Sequence, residues 1–210
     1  MFPRLYAILD LDVCHARRLD PRAVFTIWVS AGIRLIQLRA KDRDAGPMLT
    51  LATSCAREAR DAGVTFIVND RADVARLSGA DGVHVGQGDL APADARRLLP
   101  PPAWVGLSTH TDAQVDAGCR EPVDYLAIGP VFATRSKARP DPVVGLEGVR
   151  RAVAIAGPRP VVAIGGITLD RVSEVLSAGA SSVAVISDLL LGDPEERARQ
   201  FVQTTASTPR

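Results

Sequence analysis

Short apolar runs recur along the whole chain and alternate with longer stretches in which apolar residues follow helical spacing. Such runs are typical of buried strands in a parallel sheet, and the stretches between them are typical of crossover helices. The runs predicted to be strands are Leu5–Leu9, Leu35–Leu38, Phe66–Val68, Gly82–Val85, Trp104–Leu107, Tyr125–Ile128, Val161–Ile164 and Val183–Ile186. Eight such units match a closed (β/α)8 barrel, so we predict an α/β TIM barrel in a single domain spanning residues 1–210.

Helices are predicted between the strands because Pro or a small polar residue lies near several of their starts and glycine follows several ends. They cover Pro21–Ala31, Pro47–Ala62, Ala91–Leu99, Thr111–Ala117, Leu146–Ala156, Leu169–Ala178 and Pro194–Gln203. The stretch between Arg71 and Asp81 has room for only about two helical turns. The polar tail Thr204–Arg210 is expected to be frayed.

The composition supports one well-buried core and argues against several classes of function. Of 210 residues 47% are hydrophobic, and 25 Lys and Arg nearly balance 24 Asp and Glu. With a net charge of +1, no basic stripe and 4% aromatic residues, no nucleic-acid partner is expected. The first apolar run is too short for a signal peptide or a membrane span, so no membrane partner is expected either.

Cysteine usage bears on the cellular compartment. Cys14, Cys55 and Cys119 lack the CxxC spacing of zinc sites and are odd in number. This favours reduced thiols, and we predict a cytoplasmic location. The oligomeric state is not determined by the sequence, and a homo-oligomer is one of the options.

Two strand ends near the C-terminus suggest a phosphate-binding cup. The seventh predicted strand is followed by Gly165-Gly166, and the eighth ends in Ile186-Ser187. Glycine allows a ligand close to the backbone, and TIM barrels often bind phosphate on the loops after strands seven and eight. The alternative is a glycine turn of the kind found in any parallel α/β protein.

Polar side chains also follow strands two to four. Period-two alternation places Gln37, Arg39 and Lys41 on one side of the chain. Asp70 and Asp89 follow the next two strands, so their carboxylates are expected beside these cations. Such a pair could hold Mg²⁺ against a substrate pyrophosphate. Alternatively, Asp70 pairs with the arginine that follows it or caps a helix.

Further donors follow strands five and six. Ser108 and His110 come after the fifth strand, and Thr134, Ser136 and Lys137 lie in a long loop after the sixth. Hydroxyl groups and a lysine are suitable donors to phosphate oxygens, and long rim loops are often functional. A solvated basic loop explains the same composition.

Seven motifs in this order resemble those of the thiamine-phosphate synthase family, over residues 5 to about 190. They are Gln37-Leu-Arg39-x-Lys41, Asn69-Asp70-Arg71, Asp81 to Asp89, Ser108-Thr109-His110, Asp124-Tyr125, Gly129 to Lys137 and Ala163 to Ile167. The resemblance implies a Mg²⁺-dependent TIM-barrel transferase. Such an enzyme joins 4-amino-2-methyl-5-hydroxymethylpyrimidine diphosphate to a thiazole phosphate, or its carboxylated form, and releases pyrophosphate.

The resemblance also implies a role for each matching residue. It assigns the pyrimidine diphosphate to Gln37, Arg39, Lys41, Asn69, Ser108 and Lys137, the thiazole phosphate to Thr134 and Ser136, and Mg²⁺ to Asp70 and Asp89. Gly166, Ile186 and Ser187 would complete the phosphate cup. Of these, Arg39, Lys41, Ser108 and Lys137 would stabilise the departing charge and so act in catalysis.

Three positions depart from the family pattern. Ser136 stands where threonine is more usual, Ala133 where proline is frequent, and Ala127 where glycine is often found. Serine keeps the donor hydroxyl, and the extra methyl of Ala127 narrows the space beside the substrate. These changes bear on rate rather than on reaction type.

Two other functions are compatible with the same barrel. A thiazole tautomerase would use His110 as a general base, and a non-catalytic sensor of thiamine intermediates would keep only the phosphate cup. Neither has a use for the pair Asp70 and Asp89, which favours the synthase. His84, within an apolar run, is predicted to be an inward-pointing, hydrogen-bonded barrel residue rather than a metal ligand.

Overall fold

Eight parallel strands close into a barrel in the computed structural model, which describes residues 2–134 and 141–209. The strands are β1 Leu5–Asp10, β2 Leu35–Arg39, β3 Thr65–Asn69, β4 Gly82–Val85, β5 Trp104–Thr109, β6 Tyr125–Ile128, β7 Val161–Ile164 and β8 Ser182–Val185. Each strand pairs with its neighbour in chain order, and the register of Leu5 with Val183 closes β1 onto β8. The predicted TIM barrel is confirmed.

The helices surround the barrel. They are α1 Leu11–Ala16, α2 Pro21–Ser30, α3 Ala45–Ala62, α4 Ala72–Ser78, α5 Pro92–Leu98, α6 Asp112–Cys119, α7 Gly145–Ala156, α8 Val172–Ser177 and α9 Pro194–Ser207. Helix α4 is as short as the sequence predicts. The predicted helix over residues 169–178 is divided, because a 3-10 turn, Leu169–Arg171, precedes α8.

Helix α1 was not predicted, and a local cap explains it. Asp10, the last residue of β1, accepts hydrogen bonds at 3.0 Å from the backbone N–H groups of Asp12 and Val13. A side-chain acceptor at this position satisfies N–H groups that a helix start otherwise leaves unpaired. Six residues carry too little periodicity for the pattern alone to reveal the helix.

The core has two layers, as alternation along a barrel strand requires. The outer layer lies between strands and helices and includes Leu38, Phe66 and Trp28. The inner layer fills the barrel with the side chains of Tyr6, Ile8, Leu35, Ile67, Tyr125, Ala127, Val162 and Ala184. Side chains on the inner face therefore change from apolar within the barrel to polar at the strand ends.

The C-terminal tail corrects the expectation of fraying. Helix α9 continues to Ser207, and Thr208 is buried. Arg4 Nη1 donates to the carbonyl oxygen of Thr208 at 2.6 Å, and the hydroxyl groups of Ser173 and Thr208 lie 3.1 Å apart. The tail is polar because it forms hydrogen bonds to the start of the chain and to α8.

Two of the three cysteines are inert by burial. Cys14, Cys55 and Cys119 all lie among the described residues and are free thiols. Burial raises the pKa of Cys14 to about 11 and that of Cys55 to about 12, so neither is ionised near neutral pH. No helix within the described ranges is long and apolar enough to cross a membrane.

Candidate active site

The carboxyl ends of neighbouring strands bring predicted site residues together on one rim. Arg39 ends β2 and Asn69 ends β3, where it lies in register with His84 of β4. Gln37 precedes Arg39 on the same inner face and is buried. Strand register alone therefore brings together the predicted site residues of β2 and β3.

Asp10 holds the guanidinium group of Arg39. The two residues are in register on β1 and β2, and Arg39 Nη1 donates to Asp10 Oδ2 while the other carboxylate oxygen caps α1. Asp10 is 1% exposed, and the Arg39 side chain is 16% exposed. The charge of Arg39 is thus fixed at the rim by a buried partner that the sequence reasoning missed. An Asp at a strand–helix junction beside a cationic strand end is the signal that could have found it.

The carboxyl groups of Asp70 and Asp89 lie close enough to perturb each other. Burial, and after it the nearby Asp89 carboxylate, raises the pKa of Asp70 from 3.8 to about 6, and Lys41 acts in the opposite direction. Lys41 Nζ lies 3.3 Å from Asp70 Oδ2, and Asp89 Oδ2 accepts a hydrogen bond from Gly86 N at 2.8 Å. Asp70 also has a φ of 61°, a left-handed conformation uncommon outside glycine.

The alternative explanation for Asp70 is wrong. Arg71 Nη2 contacts Asp73 Oδ2 at 2.6 Å rather than Asp70. The residue that precedes α4 is Arg71, and no side chain caps that helix. The Asp70 carboxylate therefore faces a lysine and a second carboxylate across the rim.

This pair suits a hard divalent cation. Burial is the largest cause of the raised pKa of Asp70, and the nearby Asp89 carboxylate adds a contribution that a bound cation would relieve. Among residues 2–134 and 141–209 there is no group of three or more His, Cys, Asp or Glu side chains that could hold a metal alone. Two carboxylates with open positions for water and phosphate oxygens are typical of Mg²⁺ sites that share their ion with a substrate.

Polar side chains also cross the barrel interior in a hydrogen-bonded row. Gln37 Nε2 donates to the Tyr6 hydroxyl at 2.8 Å, and the Tyr6 and Tyr125 hydroxyl groups lie 2.8 Å apart. Tyr125 lies 3.1 Å from His84 Nδ1, and His84 Nε2 lies 2.8 Å from Ser108 Oγ. The prediction for His84 is confirmed. No local pattern in the sequence places Tyr125 in a row between the predicted substrate ligands Gln37 and Ser108.

The glycines after β7 make room for protein backbone. Gly165 and Gly166 have φ values of 104° and 64°. A Cβ atom on Gly166 would lie 2.6 Å from the carbonyl oxygen of Ala133, and Phe132 N donates to Gly165 O at 2.9 Å. Packing against the loop after β6 thus requires these glycines, and a phosphate contact stays a prediction.

The side chain of Asp188 links the loops after β7 and β8. Asp188 Oδ2 accepts from Leu169 N at 2.9 Å and from Arg197 Nη2 at 2.6 Å. Ile186 is partly buried and packs against the inner layer of the core. Ser187 begins a 3-10 turn, Ser187–Leu190. The predicted cup residues therefore lie on loops that are held together.

The remaining predicted residues are divided between described and undescribed parts. Thr134 is partly buried in the loop after β6, whereas Ser136 and Lys137 lie outside the described residues. His110 Nδ1 lies 2.6 Å from the carbonyl oxygen of Gly129 and 3.5 Å from Asp141 Oδ2. His110 is thus held by the loop after β6.

A closed barrel with paired carboxylates and cations on its carboxyl rim has the architecture of a TIM-barrel enzyme. The family model of thiamine monophosphate synthase matches residues 5–189. The chain belongs to the thiamine monophosphate synthase family, whose curated relatives are transferases.

Individual relatives agree with this family. The chain is 48% identical over 205 residues to thiamine-phosphate synthase of Koribacter versatilis, with 96% of this chain and 95% of the relative covered. Its identity to the Thermus thermophilus thiamine-phosphate synthase is 45% over 172 residues, or 81% and 82% of the two chains. A solved thiamine phosphate pyrophosphorylase from Pyrococcus furiosus superposes with a TM-score of 0.86 at 31% identity, covering 98% and 96%.

Proposed function

We propose that this chain joins the pyrimidine diphosphate to the thiazole phosphate and releases pyrophosphate, which is thiamine-phosphate synthase activity. The observation that carries the proposal is the carboxylate pair Asp70 and Asp89 beside the cations Arg39 and Lys41. This charge pattern fits a diphosphate bound through a metal ion. Neither a tautomerase nor a sensor has a use for it.

Asp70 and Asp89 would hold Mg²⁺, with water and diphosphate oxygens completing its coordination. When bound, the ion supplies positive charge that stabilises pyrophosphate as a leaving group. Lys41, 3.3 Å from Asp70, and Arg39, held by Asp10, add fixed cations on the same side of the barrel. Charges that are already positioned need no reorganisation as the negative charge develops.

The other assigned residues would orient the two substrates. We assign Gln37 and Asn69 to the pyrimidine, Ser108 and Lys137 to its diphosphate, Thr134 and Ser136 to the thiazole phosphate, and Gly166, Ile186 and Ser187 to the cup. The aminopyrimidine releases pyrophosphate by pushing electrons toward its exocyclic methylene carbon. The thiazole nitrogen then bonds to that carbon, so no protein nucleophile is required and orientation dominates.

His110 supports a secondary hypothesis only. Contact with the Gly129 carbonyl oxygen at 2.6 Å requires a proton on Nδ1 and makes Nε2 the basic nitrogen. A basic imidazole is what thiazole tautomerisation would need. Tautomerisation gives the carboxylate pair Asp70 and Asp89 no role. Synthase activity therefore accounts for more of the residues on the rim.

We also propose that the enzyme works in the cytoplasm on small-molecule substrates. Buried thiols with raised pKa values are compatible with a reducing compartment. A homo-oligomer stays an open prediction.

The direct test is incubation of the purified chain with both substrates and Mg²⁺, followed by measurement of thiamine phosphate and pyrophosphate in equal amounts. Omitting either substrate should abolish product, and adding a chelator should lower the rate at least tenfold. An absence of thiamine phosphate under conditions in which a relative's enzyme forms it would refute the proposal. Product formation unaffected by the chelator would refute only the metal assignment.

A further inference from the structure

The direction of the hydrogen bonds in the row across the barrel follows from donor and acceptor chemistry. The Gln37 amide nitrogen can only donate, so the Tyr6 hydroxyl accepts from it at 2.8 Å. The single hydroxyl hydrogen of Tyr6 is then available for Tyr125, at 2.8 Å. Both tyrosine hydrogens find an acceptor within the row when Tyr6 donates to Tyr125 and Tyr125 donates to His84 Nδ1, at 3.1 Å.

His84 extends the same donor-to-acceptor direction to Ser108 at the rim. Because Nδ1 of a neutral imidazole that accepts a hydrogen bond carries no proton, His84 Nε2 must carry it. Nε2 then donates to Ser108 Oγ at 2.8 Å. Because Ser108 Oγ accepts this bond, its own hydroxyl hydrogen is available for a different acceptor. We propose that Tyr6, Tyr125 and His84 form a positioning relay that holds Ser108 as a hydrogen-bond donor to the substrate diphosphate.

Burial keeps the relay in this state. Tyr6 and Tyr125 are 1% and 0% exposed, and burial raises the pKa of both hydroxyl groups, so each keeps its hydrogen. The imidazole of His84 stacks on the Tyr125 ring with centroids 5.5 Å apart. The backbone carbonyl of Ser108 accepts from Gln87 Nε2 at 2.7 Å, which also fixes the strand end.

Gly106 supports the relay independently. A Cβ atom at this position of β5 would lie 2.4 Å from the Tyr125 hydroxyl oxygen and 2.5 Å from His84 Nδ1. Any residue larger than glycine at this position would therefore fill the space in which the Tyr125 hydroxyl group contacts His84 Nδ1. The backbone of β5 is shaped to admit this hydrogen bond.

The relay is tested first without substrate. Nitrogen NMR of histidine-labelled, full-length protein, above the ordinary histidine pKa, distinguishes the two tautomers, and His84→Gln assigns the signals among three histidines. We expect His84 to carry its proton on Nε2 in the wild type and to populate both tautomers in Tyr125→Phe. A proton on Nδ1 in the wild type would mean that the row runs in the opposite direction, and would overturn the relay.

The second test rests on the proposed function. Tyr125→Phe should lower kcat/KM for the pyrimidine diphosphate about tenfold, as expected for a lost hydrogen bond, with KM for the thiazole phosphate unchanged. In a Ser108→Ala background the same change should cost less than about twofold, because the relay acts through Ser108. Equal losses in both backgrounds would show that Tyr125 does not act through Ser108.

Two further variants separate the relay from folding. Tyr6→Phe removes the link to Gln37 and should give a smaller loss in the same direction, and it substitutes for Tyr125→Phe if that protein does not fold. Thr109→Val is the matched control, since the Thr109 hydroxyl bonds to Ala127 O at 2.8 Å in the outer layer. It should leave the His84 tautomer and kcat/KM unchanged, and a change in both would count against the relay. If no variant and no wild-type protein makes thiamine phosphate, the proposed function fails while the NMR result still decides the relay.

Discussion

At the scale of single residues, the Asp70 carboxyl group connects stability with function. Its pKa is raised from 3.8 in an ordinary environment to about 6 in the fold. A group of this kind contributes stability that is fully present below the unfolded pKa and is lost as the pH rises through the folded pKa. Ionising the buried Asp70 carboxyl group beside Asp89 therefore destabilises the metal-free protein as the pH rises from 3.8 through about 6.

Asp70→Asn should separate the two effects. In the absence of Mg²⁺ at pH 8, we expect the free energy of unfolding to rise by about 1–3 kcal/mol, because the cost of burying a charged carboxylate beside Asp89 is removed. The difference from wild type should be smaller at pH 4. Turnover should nevertheless fall at least tenfold, since an amide is a poor Mg²⁺ ligand. Urea unfolding at both pH values and steady-state rates measure these quantities.

Asp73→Asn is the control, because Arg71 lowers the pKa of the Asp73 carboxyl group instead of raising it. This exposed variant should keep its activity and gain no stability at pH 8. Mg²⁺ should raise the unfolding midpoint of the wild type more than that of Asp70→Asn or Asp89→Asn. A stability gain for Asp70→Asn that is the same at both pH values would contradict the charge explanation.

At the scale of elements, the loops after β6 and β7 depend on each other. Gly166 has a φ of 64° and faces the Ala133 carbonyl oxygen, whereas Gly192 has the same φ of 64° with nothing within 4 Å of a Cβ atom. Gly166→Ala and Gly192→Ala should both lose about 1–2 kcal/mol of stability from left-handed strain. Only Gly166→Ala should also displace the loop after β6.

The displacement should weaken thiazole phosphate binding at least tenfold in Gly166→Ala and leave it unchanged in Gly192→Ala. Calorimetric titration with each substrate separately measures both affinities. Equal affinities of the two variants for thiazole phosphate would mean that the cup lies elsewhere on the rim.

At the scale of the whole molecule, the two chain ends stabilise the closure of the barrel. Arg4 precedes β1 and donates to the carbonyl oxygens of Thr208 and Pro209, at 2.6 and 3.1 Å. We expect deletion of residues 204–210 to lower the free energy of unfolding by about 2–3 kcal/mol, for the three described tertiary hydrogen bonds that are lost. Deletion of residues 209–210 alone should cost less, because the hydrogen bonds to Thr208 remain.

Urea unfolding of the two truncated proteins gives the comparison. The kcat of the folded fraction should be unchanged in both, because Arg4 lies at the amino end of β1, opposite the catalytic rim. A shorter protein as stable as the full chain would show that the tail is dispensable.

Much of the fold and part of the site follow from local patterns. The bounds of β4, β6 and β7 agree with their apolar runs, because buried parallel strands are apolar on both faces. The polar residues of the rim were found because they follow those runs directly. The expectation that the tail frays is wrong, because Thr208 forms hydrogen bonds with Arg4 and with Ser173 of α8, which are distant in sequence.

The sequence by itself determined the barrel and the identity of most rim residues, because strand periodicity and the residues that follow each strand are local properties of the chain. Tertiary structure decided the pairings. Arg39 meets Asp10 across 29 positions, and His84 meets Tyr125 across 41. These groups come together only when the barrel closes, since hydrogen-bond partners are set by distance in space and no local pattern encodes them.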